Sequence, residues 1–343
     1  MKTSAKRENL VKKLRSIAAV LLDKHLDDAR LQSACSDFKS LLLTITGLSM
    51  DDSAGRADII LENGKALGTV WAATCIDDFI RTKRFVSGLA KAIKSQEKFG
   101  RKPIHILYAG CGPFATLALP IMLHFSAADV QFSLLEINPL SFEKVKKVIA
   151  TLGLEPYLKR VELVDASTYR IPKDEAVDIL LSETMQRALS EEPQVPIVLN
   201  LWRQLSQEAL LIPESICLEL SILKPNHSEA VPQMRPSISL GTIATLSAEE
   251  IIQSNLIQQW ENGQTRFWEN TFQLSEADIK PPGQLAVLTE IRVFGEERIT
   301  FNQSGLTTPL ILSDLSAFAP QGLCLKCWYE IGNMPGLHYT FMP

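Results

Sequence analysis

"PIHILYAGCGPFAT", residues 103–116, decides the fold. Its first half is a short apolar run ending in glycine, and its second half leads into a helix-like segment. Gly110 and Gly112 remove Cβ atoms where a chain leaving a strand must turn sharply, and they let a ligand approach the backbone. A pyrophosphate-binding turn carries a third glycine in the pattern G-x-G-x-x-G. Here that position falls on Ala115, which argues for a nucleoside ligand without a pyrophosphate.

Downstream, "TLALPIMLHF" reads as a helix, "VQFSLLEIN" as a strand, "PLSFEKVKKVIATLG" as a helix and "VELVDAS" as a strand. "AVDILLSE" is a fourth strand, "PQVPIVLNLWRQL" a helix and "EALLIPESICLELSIL" a fifth strand. Strands alternating with helices of this length imply α/β architecture with a Rossmann-like, doubly wound parallel sheet, here over residues 101–213. Helices on both faces explain why these strands are apolar throughout instead of alternating.

Residues 1–100 read as a helical segment. Leu10, Leu14, Ala18, Leu21 and Leu22 have helical spacing within a two-helix stretch at 5–48, and 71–94 is amphipathic again. There Phe79, Phe85, Leu89 and Ile93 share much of one face, with Arg81 and Arg84 elsewhere on the cylinder. Residues 214–343 are mainly β, a barrel-like or sandwich domain, with a helical insertion near 247–262 for which Ser247 is the expected N-cap.

The 343 residues suit two or three domains, and 46% hydrophobic with 22% charged residues is ordinary globular composition. A net charge of −4 gives no electrostatic footprint for nucleic acid, and the local basic start reads as a solvated helix face. No stretch reaches the ~18 apolar residues of a membrane span, and no signal-peptide pattern is present. The expected location is cytoplasmic, with six reduced thiols. Cys324 and Cys327 have CxxC spacing without a second pair, so they read as strand cysteines and no metal is expected.

Acidic residues follow three successive strands. Glu136 ends the second strand, 24 residues past Gly112, where a carboxylate accepts from ribose hydroxyls. Asp165 ends the third, placed to accept from an adenine amino group. After the fourth, "LLSETMQRALSEE" (180–192) sets Glu183 and Glu192 nine residues apart. Buried carboxylates are costly without a cation, so this segment asks what cation it faces.

With these residues in view, the sequence resembles class I S-adenosylmethionine-dependent methyltransferases, and within them the protein arginine methyltransferases. The resemblance runs from Ile76 to Leu220 through "DDFIRTKRF", "LYAGCG", "LLEIN", "VDILLSETMQRALSEE" and "LLIPE". It implies S-adenosylmethionine as cofactor, held by Arg81, Gly110, Cys111, Gly112, Glu136, Asp165 and Ala166, with Arg81 gripping the methionine carboxylate. It also implies that Glu183 and Glu192 are catalytic and clamp a guanidinium or amine acceptor.

The sequence departs from the family at several points. Tyr108 stands where the first strand usually ends in an acid, the family's Thr-His-Trp signature is absent, and His338 sits in a different setting. The first seventy residues match no family element. A small guanidino or amine metabolite is therefore the favoured acceptor, with protein arginine as the alternative, and the N-terminal helices are expected to close over the site as a lid. A nicotinamide-dependent oxidoreductase and a non-catalytic scaffold are the rival functions. Ile251, Ile252, Leu256 and Trp260, where the family carries a dimerisation arm, suit a homodimer and packing on their own domain equally well.

Overall fold

A computed structural model of the chain describes residues 2–24, 27–225, 236–279, 282–317 and 323–342. The chain begins with α1 (Lys2–Leu22) and α2 (Asp28–Thr46), followed by a short hairpin of β1 (Ile59–Leu61) and β2 (Gly64–Ala66). Next come α3 (Thr69–Thr74) and α4 (Phe79–Glu97). The amphipathic stretch expected as one helix is thus two. Asp78 separates them, its carboxylate accepting from the Arg81 amide at the start of α4 as an N-cap.

The α/β part holds β3 (Ile104–Ala109), α5 (Leu119–His124), β4 (Val130–Glu136), α6 (Pro139–Leu152), β5 (Leu158–Leu163), β6 (Ile179–Ser182), α7 (Gln194–Trp202) and β7 (Leu210–Ile212). Its five strands are all parallel, in the order β5–β4–β3–β6–β7. The chain winds outward from β3 through β4 and β5, then returns to β6 on the other side. That reversal opens a crevice at the carboxyl ends of β3 and β6, where ligands of open α/β sheets bind.

The segment expected as one fifth strand is divided at Pro213. β7 completes the parallel sheet, whereas β8 (Ser215–Leu223) belongs to a different, antiparallel one. A proline supplies no ladder N–H and restricts the residue before it, so the strand does not continue through that position.

Beyond β8 lie β9 (Ser237–Ser247), α8 (Ala248–Gln253), α9 (Leu256–Glu261), β10 (Arg266–Leu274), β11 (Gln284–Phe294), β12 (Glu297–Ile299), β13 (Leu310–Asp314), β14 (Leu323–Glu330) and β15 (Gly336–Met342). They form two antiparallel sheets, β12–β11–β8–β9 with β13 also on β11, and β10–β14–β15. Among the described residues neither ladder closes into a barrel. Cys324 and Cys327 are buried free thiols on β14, and His338 stacks on Trp328 from β15.

Ser247 caps α8 through the Glu250 amide, as its sequence suggests. The expected single insertion helix breaks at Asn255, which adopts φ 49° between α8 and α9. Ile251 and Leu256 are buried, and Trp260 lies under the Arg203 guanidinium of the same chain, which leaves Ile252 exposed.

The N-terminal helices pack on the flank of the α/β part, not over its crevice. Arg7 Nε donates to the Leu152 carbonyl at the end of α6 (3.0 Å), and Lys147 Nζ donates to the Thr46 carbonyl at the end of α2 (3.2 Å). Both place a cation at a helix C-terminus, where the macrodipole favours it. α4 is the spine of the molecule. Ser87 Oγ reaches the Leu21 carbonyl (3.1 Å), Arg84 pairs with Glu297 (2.9 Å), and a Cβ on Gly88 would collide with Val293.

Candidate active site

A cavity of about 520 Å³ fills the crevice, within the usual range for small-molecule and cofactor sites. Arg81, Gly110, Cys111, Gly112, Glu136, Asp165, Ala166, Glu183 and Glu192 all line it, so the fold gathers every candidate residue around one space. The β1–β2 hairpin contributes Leu61, Lys65 and Ala66, and the loop before β13 contributes Gly305, Leu306 and Thr308. No described residue before Leu61 lines the cavity, so the two helices at 2–46, expected as a lid, do not border it.

The turn after β3 needs its glycines. Gly110 and Gly112 have φ of 71° and 67°, and a Cβ on Gly110 would collide with Thr184. Ala115, at the third-glycine position, itself takes φ 46°. Glu136 ties the turn to β4. Its Oε2 accepts from the Gly112 amide (2.7 Å), and its Oε1 accepts from the amides of Ile137 (3.0 Å) and Asn138 (2.8 Å). Burial raises the Glu136 carboxyl above its ordinary value, and these three donors oppose the shift. They fill about three of its roughly four acceptor positions, leaving one on the Oε2 side.

Asp165 follows β5 and holds the Ser167 amide with Oδ1 (2.8 Å). Next to it the Ala166 carbonyl receives Asn200 Nδ2 from α7 (2.9 Å). Cys111 and Cys75 are kept as thiols, because burial drives both above the ordinary range. Tyr108 takes the position where a strand-end acid was absent, and burial likewise raises its phenol.

The other end of the cavity is built on the loop between β6 and α7. Glu183, 8% exposed, forms an ion pair with Arg81, whose Nη1 also donates to the Cys75 carbonyl (3.0 Å). Residues assigned from sequence to different ends of the site therefore touch. Glu192 is 6% exposed, and burial pushes its carboxyl up to about 7 despite the nearby Arg81, a hydrogen bond with Gln186, and Lys65. Glu191 points elsewhere, to Lys65 Nζ at 2.7 Å, so the two adjacent glutamates have separate environments.

This loop stores backbone strain. Ala188, Leu189 and Glu191 have φ of 55°, 55° and 66°, an unfavourable region for residues with a Cβ. Anchors from three parts of the chain hold it. The Ala188 amide donates to Thr289 Oγ1 (3.1 Å), Tyr329 Oη donates to the Leu189 carbonyl (3.0 Å), and the Glu191 amide donates to the Pro335 carbonyl (2.7 Å). On the opposite side the Lys65 amide donates to the Glu191 carbonyl (2.9 Å). Gln194 secures the loop's first residues, its Oε1 accepting from the Thr184 amide (2.9 Å) and Thr184 Oγ1 (2.9 Å).

Sequence analysis missed Lys65, Asp78, Arg187, Gln194 and Leu306. Gln194 carried a usable signal, since it is a polar residue opening a largely apolar helix; in the structure it is fully buried. Asp78 also carried one, standing three residues before Arg81. Its Oδ2 accepts from the Gly305 amide (2.9 Å), which brings the loop before β13 to the cavity. Lys65 had no such mark, because nothing in a turn-rich stretch shows that it folds back onto residue 191.

The parallel sheet with its crevice and the appended antiparallel sheets together define a Rossmann-like α/β fold with a β-rich C-terminal part. Among solved structures it is similar to a chain of the Trypanosoma brucei PRMT1 enzyme-prozyme heterotetrameric complex with AdoHcy, at a TM-score of 0.50 and 13% identity. The match covers 78% of this chain and 92% of that one. No protein-family model matches the sequence, and no curated protein matches it. Among the described residues no helix is long and apolar enough to cross a membrane, and no cluster of His, Cys, Asp and Glu has the makings of a metal site.

Proposed function

We propose that the protein is an S-adenosylmethionine-dependent N-methyltransferase whose acceptor is a small guanidinium- or amine-bearing molecule. The observation that carries this reading is the pair Glu183 and Glu192, both buried, facing the same cavity as the glycine turn and Glu136. The solved neighbour binds AdoHcy, which supports the cofactor class.

The residues fit such a cofactor. A Cβ on Gly112 would meet only Ala72, at 4.0 Å, so a side chain there would enter space that a nucleoside would otherwise use. Glu136 has an acceptor position left for a ribose hydroxyl, and Asp165, which lines the same cavity and binds Ser167 through Oδ1 alone, would accept from an adenine amino group. Arg81 has five N–H donors, enough to keep Glu183 and still bind a methionine carboxylate.

S-adenosylmethionine supplies a methyl group on a sulfonium, and the acceptor nitrogen must offer it a lone pair. Two carboxylates hold a delocalised cation in one orientation and draw its charge away from the attacking nitrogen. Glu192, with its carboxyl near 7, is suited to accept the proton that this nitrogen gives up. The hairpin, bonded to residue 191 by both the backbone and the side chain of Lys65, supports a small acceptor.

Calorimetry with S-adenosylhomocysteine and NAD, together with transfer of labelled methyl to a panel of guanidines and amines, tests the proposal. Binding of NAD alone would favour an oxidoreductase, and cofactor binding without transfer to any acceptor would favour a scaffold. Arg81→Lys and Glu136→Asp are each expected to weaken S-adenosylhomocysteine by about 1–3 kcal/mol, the scale of a hydrogen bond to a charged group. Unchanged affinity in both variants would remove the nucleoside assignment.

A further inference from the structure

Three cationic side chains line the cavity: Lys65, Arg81 and Arg187. Two have anionic partners. Arg81 pairs with Glu183, and Lys65 lies between Asp58 (3.1 Å) and Glu191 (2.7 Å), which raises its ammonium pKa. Arg187 is exposed and, among the described residues, has no ion pair or side-chain hydrogen bond.

An exposed arginine needs no partner for stability, so the missing partner alone means little. What distinguishes Arg187 is how its position is fixed. The two residues after it take left-handed conformations while buried, at φ 55° each, and they are held by Thr289 and Tyr329. The Arg187 carbonyl itself receives the Ser190 hydroxyl (2.9 Å) and amide (3.2 Å). A strained turn with three side-chain anchors therefore presents one unmatched guanidinium on the loop that carries Glu183 and Glu192. A backbone held this way is unfavourable in itself and persists only where its surroundings over-determine it.

Resting on the methyltransferase reading above, we infer that the acceptor is amphoteric, a small molecule with a guanidinium or amine at one end and a carboxylate at the other. Glu183 and Glu192 receive the cationic end, and Arg187 binds the carboxylate. A planar guanidinium offers a bidentate fork to a carboxylate, which fixes orientation as well as adding affinity. The arrangement also selects against simple alkylamines and alkylguanidines, which leave Arg187 unmatched. It selects against an arginine inside a peptide, whose carboxylate is lost to the amide bond.

The test is calorimetric titration of the protein loaded with S-adenosylhomocysteine. The probes are ω-guanidino and ω-amino acids of two to five methylenes, each beside its decarboxylated counterpart, with an N-acetylated, C-amidated arginine peptide. At least one acid is expected to bind ten-fold or more tighter than its counterpart. Arg187→Ala should erase that difference by weakening the acid about 10- to 100-fold while leaving the counterpart unchanged, and Arg187→Lys should restore part of it. Equal binding of acid and counterpart across the series, or tightest binding by the peptide, would overturn the inference. So would an equal loss for acid and counterpart in Arg187→Ala. S-adenosylhomocysteine affinity from the loading step reports separately on the methyltransferase reading, since its absence would sink that reading before any acceptor is added.

Discussion

Glu192→Gln is expected to lower turnover by about 10²-fold or more while S-adenosylhomocysteine affinity stays within a few-fold. Loss of one preorganised charged group at a reacting centre has consequences of this size. Glutamine keeps the shape but holds a cation poorly and takes no proton. The wild-type pH profile provides a second check. With the Glu192 carboxyl near 7, kcat/KM should fall as pH drops through that value, because the protonated form neither holds the cation nor accepts its proton. In Glu192→Gln that acid limb should disappear.

The same shift has the opposite sign for folding. The native state holds the Glu192 proton more tightly than the unfolded chain, so its contribution to stability is complete below about 4.5 and is lost as pH rises through about 7. Glu183→Gln should also reduce turnover, but Arg81 then loses its anionic partner, so cofactor affinity should shift as well. Normal turnover in Glu192→Gln would leave that residue with a structural role only.

Phe38→Ala is expected to cost about 3–5 kcal/mol, the range for removing a large buried aromatic side chain. Phe38 is completely buried on α2, with Leu31, Leu42 and Cys35 of the same helix also buried. Denaturant unfolding would measure the loss as a lower midpoint at unchanged slope. A cost below about 1 kcal/mol would mean that the N-terminal helices are not integral to the core. Integral helices cannot swing as a lid, and any acceptor selectivity due to the N-terminal segment should then map to the β1–β2 hairpin.

The α/β region was legible in the sequence because its signals are local. An apolar strand, a glycine turn and a strand-end acid sit within a few residues of one another, and the winding rule joins them into one sheet. The two glutamates were legible for a related reason, since buried carboxylates beside an apolar strand call for a function. The pairing of Arg81 with Glu183 was not, because it joins residues about a hundred positions apart. β9, "SISLGTIATLS", lacked bulky alternation, and β10, "RFWENTFQL", hid its inward side chains among polar neighbours. Asn255, which splits the insertion helix, was a visible clue, since asparagine tolerates the left-handed conformation better than most residues. Nothing local announced that Ala188 and Leu189 would adopt it; distant hydroxyls on Thr289 and Tyr329 impose that geometry.

The loop from 183 to 192 is gripped from outside the α/β region, by the hairpin at residues 59–66 and by Pro335 just ahead of β15. The geometry of this end of the cavity is thereby set by segments that lie apart in the chain and contribute nothing to the parallel strands. Under the proposed function, substitutions in these outlying pieces would alter the acceptor end of the cavity while the turn after β3 and Glu136 stayed unchanged.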